Sequence, residues 1–368
     1  MADHLDELRS FLDANVPFAD NPSFVRALGA AGWVAPHWAP EHGGRGLTEA
    51  QALEVYAELD GRDLPRQPRG SGFVLAAPTI LQHSEEATKR RFLPKIVTGE
   101  ERWCQLFSEP GAGSDLASLA TTAVRDGDEW IVNGQKVWTT YGHESEMAML
   151  LARTNPTAPK HAGITYFGLD LRAPGVEVRP LVQMTGETEF NEVFLTDVRV
   201  PDLFRISPVN EGWAATQTTL GAERFALSGV RKKKKASDEI LGGKTIQDVL
   251  ALGGDRRDVR ARAFIESRVL ELTTARRLHG SLTKIAKART NQDLQLVAIE
   301  RLGAQATAWT ADDEETPGFV RELLRTRANS IEGGTSEIQR NIVGERVLGL
   351  PREPDPYAGA PWREIPRS

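Results

Sequence analysis

The spacing of apolar positions changes period twice along the chain, and those changes divide it into three parts. Up to about residue 103 the period is helical. Pro22-Ser23 opens a segment with Phe24, Ala27 and Leu28 on one side, and Gly32 closes it. Thr48 and Gln51 form a capping-box pattern ahead of a helix carrying Leu53, Tyr56 and Leu59. The intervening Ala35-Pro-His-Trp-Ala-Pro-Glu-His-Gly-Gly-Arg-Gly reads as loop, because its prolines and glycines deny it a regular ladder. From 106 to 206 the period is that of strands. Thr122-Ala-Val, Trp130-Ile-Val and Lys136-Val-Trp-Thr read as a hairpin series, with turns at Asp126-Gly127-Asp128 and Asn133-Gly134, the latter suited to a two-residue type I′ turn. Further β-rich runs are 147–152, 164–169, 176–181 and 192–200. Spacing this short predicts a compact antiparallel barrel or sandwich, since no helical crossover fits between the strands.

From Gly212 to Gly349 the helical period returns, with stripes at Phe264, Ile265, Val269, Leu272 and Ala275 and at Leu294, Val297, Ala298 and Leu302. A proline-rich tail from Pro351 is expected to run extended over the surface. The expected organisation is therefore α+β and multidomain: helical 1–103, β 104–206, helical 207–350 and tail 351–368.

Composition narrows the possibilities. With 45 Lys and Arg against 51 Asp and Glu the formal charge is −6, so a generic nucleic-acid binder, which needs a basic face, is excluded. The exception is Arg231-Lys232-Lys233-Lys234-Lys235, a run expected to be a solvated loop because like charges repel and stay hydrated. Cys104 is the only cysteine, which excludes an intrachain disulfide and a Cys-based metal site; no metal is expected. The N-terminus lacks a basic and apolar leader, and no stretch approaches the roughly 20 apolar residues of a membrane span, so a cytoplasmic protein off the membrane is expected.

Phe107-Ser-Glu-Pro-Gly-Ala-Gly-Ser-Asp115 is the most unusual local string. Glycines two residues apart, followed by Ser and Asp, suit a backbone that approaches a ligand closely and offers it N–H groups and a hydroxyl; a plain strand-to-loop turn is the bland alternative. Gly134-Gln-Lys-Val-Trp138-Thr-Thr140 follows about one hairpin later. With these strings, Glu192-Val-Phe-Leu-Thr-Asp-Val-Arg-Val-Pro201, Asn210-Glu-Gly-Trp and Gly333-Gly-Thr-Ser-Glu-Ile-Gln-Arg340, the chain resembles the acyl-CoA dehydrogenases over nearly its whole length.

That resemblance implies an N-terminal helical domain, a central antiparallel β-barrel or sandwich and a C-terminal four-helix bundle. It also implies FAD as cofactor, with Phe107, Ser108, Gly113 and Ser114 meeting the flavin and pyrophosphate, Trp138 and Thr140 flanking the ring, and Thr335 contributing from the C-terminal domain. The implied reaction is α,β-dehydrogenation of an acyl-CoA thioester. A carboxylate takes the α-proton while donors hold the developing enolate oxygen, the β-hydride goes to the flavin, and the electrons leave to an electron-transfer flavoprotein. In much of the family the base is a glutamate where this chain has Gly333. A branch handling long or branched acyl groups places it on the first helix of the C-terminal domain, immediately before an arginine, and here Glu223-Arg224 stands there. Glu223 is thus the expected base, with Glu332, one residue out of register, as the alternative. On a helical wheel Glu223 shares a stripe with the small residues Thr216, Thr219 and Ala226, which leaves room for substrate. Gly333 keeps a main-chain role toward the thioester oxygen. Arg224 and Thr188 match contacts to the phosphopantetheine arm, with a structural ion pair as the alternative for Arg224.

Two family segments that reach a neighbouring subunit's FAD are missing: the corresponding regions read Val230-Arg-Lys-Lys-Lys-Lys-Ala-Ser-Asp and Glu300-Arg-Leu-Gly-Ala-Gln-Ala-Thr-Ala. The bacterial acyl-CoA dehydrogenases of steroid side-chain breakdown, which this chain resembles around Arg327-Ala-Asn-Ser-Ile-Glu-Gly-Gly-Thr-Ser-Glu-Ile-Gln-Arg340, are α2β2 heterotetramers, so a distinct partner subunit is expected, with a homo-oligomer as the alternative. The lysine run then gains a second reading, steering of CoA phosphates. Other readings keep the fold but change the role, to a flavin oxidase or monooxygenase, or to a non-catalytic subunit of a heteromeric enzyme.

Overall fold

The computed structural model describes residues 3–15, 21–64, 70–227, 251, 257–276, 279–307 and 318–366. The 231–235 basic run lies outside them. The chain divides into two compact units: Met1–Pro180 with Phe190–Thr219 and Tyr357–Ser368, and Leu181–Glu189 with Leu220–Pro356.

The first unit opens with helices α1 (Asp3–Asn15), α2 (Asn21–Ala30), α3 (Glu49–Asp60), α4 (Ala77–His83) and α5 (Glu86–Thr98). The capping box forms as expected: the Gln51 N–H donates to Thr48 Oγ1 at 3.3 Å, and the Thr48 N–H donates to Gln51 Oε1 at 3.0 Å. The face that α3 buries is Ala52, Val55 and Leu59, while Leu53 is exposed. Gly29 is the contact point of α2 with the end of α5, where a Cβ would lie 2.2 Å from the Val97 carbonyl oxygen.

The strands are β1 (Trp103–Leu106), β2 (Thr122–Asp126), β3 (Glu129–Thr140), β4 (Met147–Arg153), β5 (Ile164–Asp170), β6 (Val176–Leu181) and β7 (Phe190–Pro201). They form one seven-stranded sheet in the order β1-β4-β2-β3-β7-β6, with β5 also paired to β4. The expected antiparallel pairs are present at β2/β3, β3/β7 and β4/β5. They are joined by two parallel pairings that short-range spacing does not reveal, β1 with β4 and a single bridge from Thr122 to Arg153. Leu106, Val132, Leu150, Phe167, Val193 and Val198 fill the core against this sheet.

The Asn133-Gly134 turn expected from the sequence is not formed. β3 runs straight through it, and the two residues sit instead at a register shift against β7 between Val132 and Gly134. Asn133 Oδ1 accepts the N–H of Asp197 at 2.8 Å, and Asp197 itself has φ +48°. Gly134 is required because a Cβ there would fall 2.4 Å from Thr121 Oγ1. The turn of the β2–β3 hairpin lies at Gly127, with φ +63°.

Helix α6 (Gly212–Leu227) starts in the first unit. In the second unit are α7 (Arg257–Ala275), α8 (Gly280–Leu302), α9 (Gly318–Arg325) and α10 (Ser336–Ile342). The α8 stripe is internal at Leu294 and Ala298. The α7 stripe is not: Phe264, Ile265, Val269 and Leu272 are all more than half exposed, and α7 buries Ala263 and Leu270 instead. The tail returns to the first unit, where buried Trp362 donates its N–H to the Ala158 carbonyl at 2.9 Å and lies against the Arg153 guanidinium at 4.5 Å.

Candidate active site

After β1 the chain leaves the sheet as the 107–121 loop. The Phe107 ring is buried edge-on to Tyr166, with centroids 5.6 Å apart. The Ser108 carbonyl accepts the Val137 N–H at 3.0 Å, which ties this loop to β3. Glu109 and Ala112 exchange two main-chain hydrogen bonds of 3.0 Å and make a tight turn. That turn pushes Gly111, Gly113 and Ser114 outward and leaves them exposed, with no heavy atom within 4 Å of a Cβ built at Gly111 or Gly113. The N–H groups of Gly113 and Ser114 have no acceptor among the described residues. Open space over outward N–H groups is what a pyrophosphate needs.

β3 delivers the second segment. Between Lys136 and Thr139 its register against β7 shifts again, and there Trp138 adopts φ +62° while Tyr141, just past the strand, adopts φ +50°. Each left-handed non-glycine residue costs about 1 kcal/mol or more, so two in four residues mark a place where the backbone is bent to aim side chains. The Trp138 indole is 61 % exposed and braced edge-on by Phe190 at 5.9 Å. Thr140 is exposed beside it, while Thr139 is buried with its hydroxyl unpartnered among the described residues. An exposed, braced aromatic ring suits one face of a planar cofactor ring, and the outward N–H groups of the loop suit a diphosphate. The strain at Trp138 and Tyr141 was not readable from residue types, because it arises from the bulge.

The first unit therefore gathers Phe107, Ser108, Gly113, Ser114, Trp138 and Thr140. Thr188, Glu223, Gly333 and Thr335 belong to the second, as does Glu332. Glu332 Oε2 accepts from Arg325 Nη2 at 3.1 Å, and its Oε1 accepts from Asn329 Nδ2 at 3.0 Å. Arg325 also donates to Glu189 at 3.2 Å. Both oxygens of the alternative base are thus engaged in a half-buried network.

Gly333 and Gly334 have φ +62° and +89°, a conformation glycine adopts without strain. The Gly333 carbonyl accepts from Gln339 Nε2 at 2.8 Å, and the Gly334 carbonyl accepts from Lys284 Nζ at 2.7 Å. Burial pulls the Lys284 ammonium below its ordinary range, partly offset by Glu332 and Glu337. Thr335 caps α10, its hydroxyl accepting the Ile338 N–H at 3.2 Å.

Glu223 is half-buried on α6, one turn beyond Thr219. The small-residue stripe is not open space along its whole length. Thr216 and Thr219 are fully buried, and Thr219 Oγ1 meets Thr79 Oγ1 at 2.7 Å and the Tyr166 hydroxyl at 3.0 Å. Any room for substrate on this stripe begins beyond Thr219. Thr188 is exposed in the 182–189 loop, and the Arg224 side chain lies outside the described residues.

Helical, β and helical regions follow one another in that order, with a glycine loop and a projecting indole on the sheet, as the resemblance to the acyl-CoA dehydrogenases implies. Family profiles for the acyl-CoA dehydrogenase N-terminal, middle and C-terminal domains match residues 2–100, 104–198 and 260–348. The chain belongs to the acyl-CoA dehydrogenase family, the flavin-linked oxidoreductases of acyl-CoA. The acyl-CoA dehydrogenase IpdE1 of Mycobacterium tuberculosis is 38% identical over 347 residues, spanning 91% of this chain and 89% of that one. FadE34 of the same organism is 39% identical over 344 residues, spanning 89% of this chain and 46% of FadE34. Among solved structures, the Tcur3481-Tcur3483 steroid acyl-CoA dehydrogenase superposes with a TM-score of 0.72 at 27% identity, covering 95% of this chain and 97% of that one. The ChsE4-ChsE5 complex from Mycobacterium tuberculosis gives a TM-score of 0.64 at 29% identity, covering 95% and 93%. Among the described residues no helix is long and apolar enough to cross a membrane.

Proposed function

We propose that this chain desaturates an acyl-CoA at its α,β bond, with Glu223 as the base that takes the α-proton and the Gly333 N–H as a donor to the thioester oxygen. The observation that carries the reading is the state of Glu332. Arg325 and Asn329 each donate to one of its oxygens, so the carboxylate is held in a structural ion-pair and hydrogen-bond network. Gly333 offers no carboxylate at the position most of the family uses, so Glu223 is left as the base. Removing the α-proton is feasible near neutral pH only if the enolate oxygen is stabilised as it forms. The Gly333 carbonyl is held by Gln339 and the Glu332 N–H donates to the Ala328 carbonyl at 2.9 Å, so the intervening peptide is fixed at both ends.

FAD, when bound, supplies the two-electron acceptor for the β-hydrogen. Ser108, Gly113, Ser114, Trp138 and Thr140 would hold it, with Phe107 shaping the loop, and Thr335 is a further contact that the family resemblance implies. Arg224 and Thr188 serve the phosphopantetheine arm, and an electron-transfer flavoprotein takes the electrons on. The substrate class is a steroid-derived or branched acyl-CoA, supported by the likeness to the Tcur3481-Tcur3483 steroid enzyme. Incubating the FAD-loaded protein with such a thioester and an artificial electron acceptor is expected to yield an enoyl-CoA lighter by two hydrogens in mass spectra. Recovery of unchanged thioester alone would refute the reading.

The working assembly is a hetero-oligomer with a related subunit, as the paired names of two structural neighbours suggest. The exposed apolar row Phe264, Ile265, Val269 and Leu272 on α7 supports an extensive subunit contact. Purified alone, the chain is expected to give less than one flavin per chain, rising when the partner is co-expressed. A stable homotetramer with one FAD per chain, measured by light scattering and absorbance, would contradict this.

A further inference from the structure

The loop that displays Ser108, Gly113 and Ser114 is tied down by a charge pair to which the roles above assign nothing. Lys136, in β3, is 0% exposed and Glu109 is 8% exposed. Lys136 Nζ donates to Glu109 Oε1 at 2.8 Å and to the Phe107 carbonyl at 3.1 Å. The same carboxylate accepts the N–H groups of Ala120 at 2.6 Å and Thr121 at 2.9 Å. Both ends of the 107–121 loop therefore close on one buried pair. The next residue, Val137, donates its N–H to the Ser108 carbonyl at 3.0 Å, and Trp138 follows. Arg153 fixes the far half of the loop from below, donating to the carbonyls of Ala117 at 2.6 Å and Leu119 at 3.2 Å.

Burial works against both charges. It pushes the Glu109 carboxyl up, but the Lys136 ammonium and the hydrogen bonds from Thr121 and Ala120 outweigh it and keep the carboxyl below its ordinary range. Lys136 is pulled down by the same burial, with Glu109 opposing. Such a pair adds little net stability compared with an apolar replacement, because desolvation offsets the attraction. What it does supply is geometry: four fixed hydrogen bonds that set the mouth of the loop relative to the strand carrying the indole.

We propose that Lys136 and Glu109 are positioning residues for the flavin, holding the outward N–H groups of the 107–121 loop and the Trp138 ring in register on one ligand. The inference rests on the FAD reading above. Lys136→Met leaves Glu109 buried without its partner, so it destabilises the fold as well as freeing the Phe107 carbonyl. Lys136→Met combined with Glu109→Gln removes the stranded charge and keeps an acceptor for Ala120 and Thr121, yet still leaves Phe107 untethered. The double variant is therefore expected to melt above the Lys136→Met single variant, while its FAD dissociation constant stays raised by about tenfold or more over wild type. Both are measured on flavin-stripped protein, by thermal unfolding and by titration with FAD followed through flavin fluorescence and flavin circular dichroism. A core truncation in β7, Val198→Ala, serves as the control for lost stability. It is expected to bind FAD as wild type does, and comparison of Glu109→Gln with it decides the matter should the double variant not fold. If FAD affinity and the flavin dichroism merely follow the melting temperature across all the variants, the pair is structural and the proposal is overturned. Failure of the wild-type protein to bind FAD would overturn the FAD reading as well, which separates that failure from failure of the pair alone.

Discussion

Replacing Glu223 by Gln is expected to lower the rate of acyl-CoA oxidation roughly a thousandfold, within the range that a positioned general base contributes. The amide keeps the size and hydrogen-bonding reach of the carboxylate but has no useful basicity, so binding of the thioester changes little and the loss falls on kcat. Glu332→Gln is expected to behave differently. It weakens an ion pair with Arg325 that is partly screened by solvent, at a cost of about 1 kcal/mol in stability, and leaves the rate within about tenfold. Stopped-flow rates for the two variants separate the assignments. Oxidation intact in Glu223→Gln and abolished in Glu332→Gln would reverse them.

The second large effect belongs to Gly334→Ala. At φ +89° any side chain is strained, and the new Cβ would lie 2.6 Å from Gln339 Nε2, so Gln339 has to move away from the Gly333 carbonyl. The peptide that presents the Gly333 N–H then loses its fixed orientation. Because a donor to the enolate oxygen matters most in the transition state, the expected loss is about a hundredfold in kcat with a smaller change in KM. Gln339→Ala removes the same support without backbone strain and should shift kcat in the same direction. A fall in melting temperature with kcat preserved in both variants would show that this turn only stabilises the fold.

Much of this was legible from residue patterns because it is local. The α3 capping box, the strand-forming runs and the glycine loop each depend on a few adjacent residues, and the structure forms them. Features decided by distant parts of the chain were not legible. Asn133-Gly134 has the chemistry of a hairpin turn, but Asp197 and Thr121 approach it from other segments and turn it into a bulge. The α7 stripe has the period of a buried face, and period alone does not say whether the covering surface is in this chain. Thr216 and Thr219 look like open space on a wheel until Thr79 and Tyr166 fill it. The isolation of Glu332 depends on Arg325 and Asn329, seven and three residues upstream, which fold back around it.

Mixing the FAD-loaded protein with a steroid-derived or branched acyl-CoA under argon reads the central chemistry directly. The visible flavin band is expected to bleach within the mixing experiment for the wild type and to persist for Glu223→Gln under identical conditions. A wild-type band that survives every such thioester, or a Glu223→Gln protein that bleaches at the wild-type rate, would contradict the account.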